Sequence, residues 1–171
     1  DIKPENIFLH RSASGEVVPK LLDFGIAKNF HRPITHVGDR GVLGTPMYIP
    51  PELIDAEQRL ATPSADVWAL GVTLYELFWG AAPFASDASV PVQALVAVCD
   101  AEPDFESAAV PFAVREVVRC CLSKDPRGRF PDARALLREL RRALGQSVGS
   151  PPSDSCLALD TERACEIAAF S

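Results

Sequence analysis

Long apolar runs are missing from this sequence, and so is an excess of positive charge. No stretch of about 18 apolar residues occurs, which excludes a transmembrane helix within these 171 residues. The formal net charge is −6 at pH 7, and an acidic chain is poorly suited to bind nucleic acid or an anionic membrane surface. We therefore expect no nucleic-acid partner, and a membrane contact only through segments outside this sequence.

The sequence also lacks an initiator Met, a visible signal peptide and any pair of cysteines spaced C-x-x-C. Its five cysteines are an odd count without the spacing of a zinc site. Reduced, mostly buried thiols are typical of a cytosolic protein. The expected location is cytoplasmic, with any membrane anchor of a longer parent protein outside this segment.

The residues that are present predict one globular core followed by a tail. Hydrophobic residues make up 47% of the chain and charged residues 23%, which is an ordinary globular profile. Ser, Pro and Gly dominate the stretch "QSVGSPPSDS", and this composition is typical of a linker. We predict one domain over residues 1–145 and a linker or disordered tail over residues 146–171.

The first 50 residues predict a β-hairpin followed by a long irregular segment. Apolar residues at 7–9 and 17–22 indicate two short strands joined by the turn-rich "HRSASGE". Residues 23–50 contain several glycines and prolines and show no clear period. An irregular segment of this length inside a compact domain is usually functional or disordered.

Helices are predicted for most of the remaining domain. The stretch "TPSADVWALGVTLYELFWG" has Thr62 as a plausible N-cap, Pro63 at the first helical position and Gly80 as a stop. Its apolar residues cover nearly all faces, so we expect this helix to be buried on all sides. Three further helices are predicted within "VPVQALVAVCD", "PFAVREVVRCCL" and "DARALLRELRRAL".

Five short segments follow one another in an order that makes coincidence implausible: "DIKPEN", "LLDFGIAK", "GTPMYIPPE", "SADVWALGVTLYEL" and "KDPRGRF". Over about residues 1–145 they resemble the protein kinase superfamily, specifically the C-terminal lobe of a eukaryotic-like Ser/Thr kinase. The first two segments are similar to those of many bacterial Ser/Thr kinases. The resemblance implies a mainly α fold, a kinase-like C-terminal lobe with a short β-hairpin, a long activation segment and four to five helices, and no N-terminal lobe.

The same resemblance implies ATP-dependent phosphoryl transfer to Ser or Thr hydroxyls of a protein substrate, with Mg²⁺ as the metal. Asp1 would accept or orient the proton of the substrate hydroxyl, and Lys3 would place a cation against the transferring phosphate. Asn6 and Asp23 match the family's metal-binding positions, and their side-chain oxygens suit Mg²⁺. Thr45 would help hold the substrate-binding loop near Asp1. Taken singly, these residues also fit a solvated terminal acid and ordinary turn residues.

The resemblance also implies three structural supports and one regulatory site. Glu52 and Arg129 look like the buried ion pair that ties the family's activation segment to its helical core. Asp66 stands in the first helical turn, where an acid is favoured anyway, and its family counterpart braces the catalytic loop. Thr35 is the only Ser or Thr between "DFG" and Thr45, so it is either a phosphorylation site or an unmodified loop threonine.

Two classes of function stay open on the sequence alone. One is an active Ser/Thr kinase, and the other is a pseudokinase or a kinase-derived interaction module; Asp1, Asn6 and Asp23 favour the first. A different phosphotransferase with D-x-x-x-x-N and D-x-G elements is a weaker rival, because "GTPMYIPPE" resembles a protein-substrate platform. The family's Gly-rich loop and V-A-x-K-like strand do not occur in these residues. We therefore expect the 171 residues alone to be inactive and to need the N-terminal lobe of the same kinase as a partner.

Overall fold

The computed structural model describes residues 1–22, 46–54, 62–84, 91–106 and 109–146. Within these ranges lie one two-stranded antiparallel sheet, five α-helices and three short 3-10 turns. The prediction of a mainly α fold with a short hairpin and four to five helices is confirmed. The predicted linker or tail lies outside the described residues apart from its first residue, and it stays a prediction.

The hairpin consists of β1 (Ile7–Arg11) and β2 (Val17–Leu21), which pair antiparallel along their whole length. Gly15 permits the tight connection, because its φ of 84° lies in the left-handed region that glycine adopts at little cost. The Ser12 backbone N–H donates to the Glu16 carbonyl oxygen at 2.8 Å and closes the turn. Most side chains of both strands are exposed, so the hairpin adds little to the helical core.

Two helices follow the irregular segment. α1 (Pro51–Ile54) is a single turn, whereas α2 (Pro63–Trp79) is the longest of the described helices. A proline occupies the first position of α2, where its missing N–H leaves no hydrogen bond unmade. Thr62 stands at the predicted N-cap position, but its hydroxyl bonds to the Ser64 hydroxyl at 2.8 Å and makes no capping bond to the helix backbone.

Three more helices complete the described fold: α3 (Pro91–Asp100), α4 (Phe112–Cys121) and α5 (Ala133–Ala143). α2 packs against α4 and α5, and these two pack against each other. α3 packs against α1 and against the 3-10 turn Pro46–Tyr48. No helix in the described part of the chain combines the length and apolar character needed to cross a bilayer.

The core centres on the first two-thirds of α2. Val67, Trp68 and Val72 are fully buried there, and Val114 and Val118 of α4 are fully buried as well. The burial of these apolar side chains is the main favourable contribution to folding, at about 1.5–3 kcal/mol for each large side chain. The core therefore fixes α2 against α4.

α2 is not buried on all sides, contrary to the expectation from its apolar sequence. Leu77 in its last turns is 74% exposed, and Asp66 in its first turn is exposed as well. The buried positions of α2 are concentrated before its last turn. The prediction of complete burial was wrong because an apolar residue shows only that its burial would be favourable. It does not show how many other elements pack around the helix.

Candidate active site

The loop that opens the chain is built around the 3-10 turn Pro4–Asn6, which leads directly into β1. The Asn6 backbone N–H donates to the Lys3 carbonyl oxygen at 3.0 Å and closes this turn. Pro4 favours the conformation, because its ring fixes φ and holds the preceding residue extended. The side chain of Ile2 packs against the helical core. The loop is therefore anchored at both of its ends.

Three of the predicted site residues meet within this loop. The Lys3 Nζ atom lies 3.5 Å from Oδ2 of Asp1, and the two side chains are only 19% and 15% exposed. The Asn6 Nδ2 atom donates to the backbone carbonyl oxygen of Asp1 at 2.8 Å, so the amide's Oδ1 is its acceptor end. A carboxylate, an ammonium and an amide oxygen thus lie together in one partly buried loop.

A backbone hydrogen bond links the loop to the end of the hairpin. The Leu22 N–H donates to the Asn6 carbonyl oxygen at 2.9 Å. Asp23 comes next in the chain but lies outside the described residues, and so do Thr35 and Thr45. The roles of these three residues in metal binding, phosphorylation and substrate binding therefore stay predictions.

The turn Pro46–Tyr48 is held on α2 by two side-chain hydrogen bonds. Trp68 Nε1 donates to the Met47 carbonyl oxygen at 3.0 Å, and the Tyr48 hydroxyl donates to Oε2 of Glu76 at 2.6 Å. Burial raises the pKa of Tyr48 well above its usual value, and the Glu76 carboxylate raises it further. The tyrosine therefore stays protonated and keeps its hydrogen bond at neutral pH.

Glu52 in α1 and Arg129 form a bidentate ion pair, with Nη1–Oε1 and Nη2–Oε2 distances of 2.8 and 2.7 Å. The Arg129 side chain is fully buried, and that of Glu52 is 10% exposed. The other guanidinium N–H groups donate to the backbone oxygens of Ser123, Ser64 and Lys124. Because a buried charge is tolerated only when paired and hydrogen-bonded, this network fixes α1 against the segment after α4.

The family of the chain follows from comparison with known proteins. Residues 1–139 match the model of the family described as protein kinase domain. The chain belongs to the protein kinase family. The resemblance of its sequence motifs to protein kinases is thereby confirmed.

Three relatives of this kinase chain are bacterial serine/threonine-protein kinases. The kinase drp72 of Corynebacterium efficiens is 38% identical over 155 residues, which cover 90% of this chain and 28% of the relative. Pkn1 of Myxococcus xanthus is 37% identical over 152 residues, covering 86% and 21%. PknA of Mycobacterium tuberculosis is 38% identical over 159 residues, covering 89% and 35%. The chain thus spans about a fifth to a third of the length of these relatives.

Asp66 of the kinase chain lies in the first turn of α2, between the buried residues Ala65 and Val67. Its own side chain is exposed. A carboxylate at this position complements the positive end of the helix dipole. The bracing of the catalytic loop that the family resemblance implies for Asp66 stays a prediction.

The metal ligands that the resemblance implies are one amide and one carboxylate. The Asn6 amide fits a Mg²⁺ ligand, because its Nδ2 is bonded to a backbone carbonyl and its Oδ1 is the hard oxygen left for a cation. The carboxylate of Asp23 lies outside the described residues. Within the described ranges, no three His, Cys, Asp or Glu side chains converge on a possible metal position.

Sequence reasoning missed four residues that support the kinase site: Tyr48, Trp68, Glu76 and Lys124. The first two carried a signal, because a Tyr or Trp in an otherwise apolar segment needs a hydrogen-bond partner when it is buried. Glu76 and Lys124 carried no such signal, since a charged residue near a helix end usually lies on the solvated surface. Their partners lie in other elements, 28 and 26 residues away.

Proposed function

We propose that the protein is a Ser/Thr protein kinase, which transfers the γ-phosphoryl group of ATP to hydroxyl groups of protein substrates. In this proposal the chain supplies the catalytic loop and the protein-substrate side of a longer protein, called the complete kinase below. The observation that carries the proposal is the contact of Asp1 with Lys3 in a loop that Asn6 ties together. The relatives' names as serine/threonine-protein kinases support the same activity.

Asp1 would act on the nucleophile. Its carboxylate orients the substrate hydroxyl and accepts the proton while the oxygen bonds to the γ-phosphorus. The bond between this phosphorus and the bridging oxygen breaks, and ADP leaves. The Lys3 ammonium, 3.5 Å from Oδ2 of Asp1, lies close enough to offset negative charge on the transferring phosphoryl oxygens.

Asn6 and Asp23 would hold Mg²⁺ through side-chain oxygens. The Asn6 part rests on the hydrogen bond from its Nδ2 to the Asp1 carbonyl, which leaves Oδ1 as the acceptor end of the amide. The Asp23 part rests on the "DFG" motif in the sequence. When bound, Mg²⁺ neutralises charge on the phosphate oxygens of the nucleotide.

The protein substrate would lie along the turn Pro46–Tyr48. Trp68 and Glu76 hold this turn on α2, and the Glu52–Arg129 ion pair holds α1 directly after it. Placing a hydroxyl for attack requires a rigid support, since a displacement of about 1 Å can cost about 10²-fold in rate. These anchors would supply that rigidity without touching the reacting atoms.

The proposal is tested by Asp1→Asn in the complete kinase, assayed with radiolabelled ATP, Mg²⁺ and a general protein substrate. This substitution preserves the size of the side chain and removes the base, so we expect kcat to fall about 10²- to 10⁴-fold. The matched control is Asp104→Asn. Asp104 is exposed, and among the described residues its side chain accepts the Glu106 backbone N–H, for which asparagine retains an oxygen. The control should keep activity within about twofold.

Two results would overturn the proposal. One is an Asp1→Asn kinase with unchanged turnover. The other is a complete wild-type protein that binds ATP and Mg²⁺ but transfers no phosphate to any protein, because this is the behaviour of a pseudokinase.

A further inference from the structure

Lys124 is a partly buried cation to which the proposed phosphoryl transfer gives no role. It lies in the "KDPRGRF" segment after α4, and its Nζ donates to the Val98 carbonyl oxygen at 2.6 Å. Val98 is fully buried near the end of α3. Its carbonyl is one of the last four of the helix, which have no partner within the helix. The ammonium therefore satisfies a carbonyl at the negative end of α3.

Aromatic rings lie on the other side of the Lys124 ammonium. Its Nζ is 4.3 Å from the centre of the Phe84 ring and 5.4 Å from that of the Trp68 ring, both within the range of a cation–π interaction. The two rings stack on each other with centroids 5.6 Å apart. Within the described residues, no carboxylate forms an ion pair with Lys124, so the cation is held by a carbonyl and two rings.

The backbone of Lys124 is tied to the anchors of the substrate side. Its carbonyl oxygen accepts a hydrogen bond from Nη2 of Arg129 at 3.2 Å, and the same guanidinium binds Glu52 of α1. The Trp68 ring beneath Lys124 belongs to the side chain that holds the Met47 carbonyl. Lys124 thus contacts the two residues that fix α1 and the turn Pro46–Tyr48.

α3 itself packs against this turn and against α1. A shift of α3 would therefore move the surface on which the protein substrate is proposed to lie. We propose that Lys124 is a positioning residue for the protein substrate, whose ammonium fixes the end of α3 on the Phe84–Trp68 pair and so keeps the turn Pro46–Tyr48 in place. This inference rests on the kinase function proposed above and adds a determinant of substrate affinity to it.

The first test compares Lys124→Met with wild type in steady-state kinetics of the complete kinase. Methionine retains the apolar chain and removes both the charge and the donor. We expect KM for a peptide substrate to rise about tenfold, equivalent to about 1.4 kcal/mol, while kcat and KM for ATP stay within about twofold. Lys20→Met is the matched control, because Lys20 is exposed on β2, and it should leave all three constants unchanged.

The second test uses pH and Lys124→Arg, which retains a permanent charge. Burial has the largest effect and lowers the pKa of Lys124. Glu102, Cys99 and Asp100 raise this pKa to a smaller extent, and the Arg129 cation lowers it least. Wild-type KM for the peptide should therefore rise with pH before an ordinary lysine would titrate. In Lys124→Arg this rise should be absent, because guanidinium stays protonated.

The possible results of these two tests separate the role of Lys124 from the kinase function itself. If wild type is active and both variants retain its peptide KM and its pH profile, the role of Lys124 is wrong and the kinase function stands. If Lys124→Met lowers kcat and raises both KM values alike, Lys124 is merely structural and the inference is wrong. If Lys124→Met does not fold, the pH profile of Lys124→Arg decides alone. If wild type transfers no phosphate, the proposed function falls and this inference falls with it.

Discussion

At the scale of single residues, Arg129 stands out because its side chain makes five hydrogen bonds within the described part of the chain. All five of its guanidinium N–H groups have acceptors: both oxygens of Glu52 and three backbone oxygens. Its guanidinium also lies 4.9 Å from the centre of the Trp68 ring. A cation so completely satisfied is stable only while every partner stays, and Glu52 supplies the only negative charge in the set.

Glu52→Gln should destabilise the complete kinase by about 3–5 kcal/mol, because it leaves the buried Arg129 charge without a counter-charge. The measurement is the free energy of unfolding in denaturant. Glu139→Gln is the matched control, since it breaks ion pairs with Arg138 and Arg142, whose side chains are 52% and 59% exposed. Each of these solvent-accessible pairs should contribute at most about 1 kcal/mol. Equal losses in both variants would show that burial does not set the strength of the Glu52 pair.

The sequence was informative about single residues where a motif fixes their identity. Glu52 and Arg129 lie 77 residues apart, and only the resemblance of "PPE" and "KDPRGRF" to kinase motifs paired them. The Tyr48–Glu76 and Lys124–Val98 hydrogen bonds were not predicted. They depend on how separate elements pack, and neither propensity nor periodicity encodes a contact between elements.

At the scale of elements, the crossing of α2 and α4 depends on Gly71. A Cβ atom at this position would lie 2.6 Å from Cβ of Cys121 and 3.1 Å from Cδ2 of Leu122. The first of these atoms is attached directly to the backbone of α4, so a rotamer change cannot relieve the contact. The absent side chain at Gly71 therefore sets how closely the two helices approach.

Gly71→Ala should destabilise the kinase by up to about 2 kcal/mol. Alanine gains about 1 kcal/mol of helix propensity over glycine, but overpacking a filled core costs about 1–3 kcal/mol, and here the close contact is to an atom fixed by the backbone. The check is the unfolding free energy of Gly71→Ala and of the larger Gly71→Val, which should lose more. A Gly71→Ala variant more stable than wild type would mean that α4 can move aside without cost.

Elements were predictable where local signals define them. The hairpin follows from two apolar runs around a turn, and α2 begins at Pro63 and ends before Gly80 as the sequence indicated. The wrong expectation, burial on all sides of α2, failed at Leu77. The apolar pattern reports which residues favour burial, while their actual burial depends on the number of packed neighbours.

At the scale of the whole molecule, the chain carries some of the parts that the proposed phosphoryl transfer would use. Its 171 residues include the loop with Asp1, Lys3 and Asn6 and the anchors of the substrate side. They include no Gly-rich loop and no V-A-x-K-like strand, which in the family hold the nucleotide phosphates. The chain covers only about a fifth to a third of the length of the relatives.

We predict that residues 1–171 expressed alone transfer phosphate at least about 10³-fold more slowly than the complete kinase. The physical reason is that the nucleotide would be bound from one side only, so the γ-phosphoryl group would not be held in line with the attacking oxygen. A radiometric assay of both proteins on one substrate measures the ratio. Far-ultraviolet circular dichroism serves as the control that the shorter chain has formed its helices. Comparable turnover of the two proteins would refute the prediction.

Trp68 joins several of the features described above in a single indole. Its Nε1 holds Met47, its ring lies beside the Arg129 and Lys124 cations, and it stacks on Phe84. The energetic effects of mutating these neighbours will therefore not be additive, because each of them shares a partner with the others. Single substitutions around Trp68 would count the same stabilisation more than once. Double-mutant cycles are the appropriate means to apportion free energy in this part of the kinase.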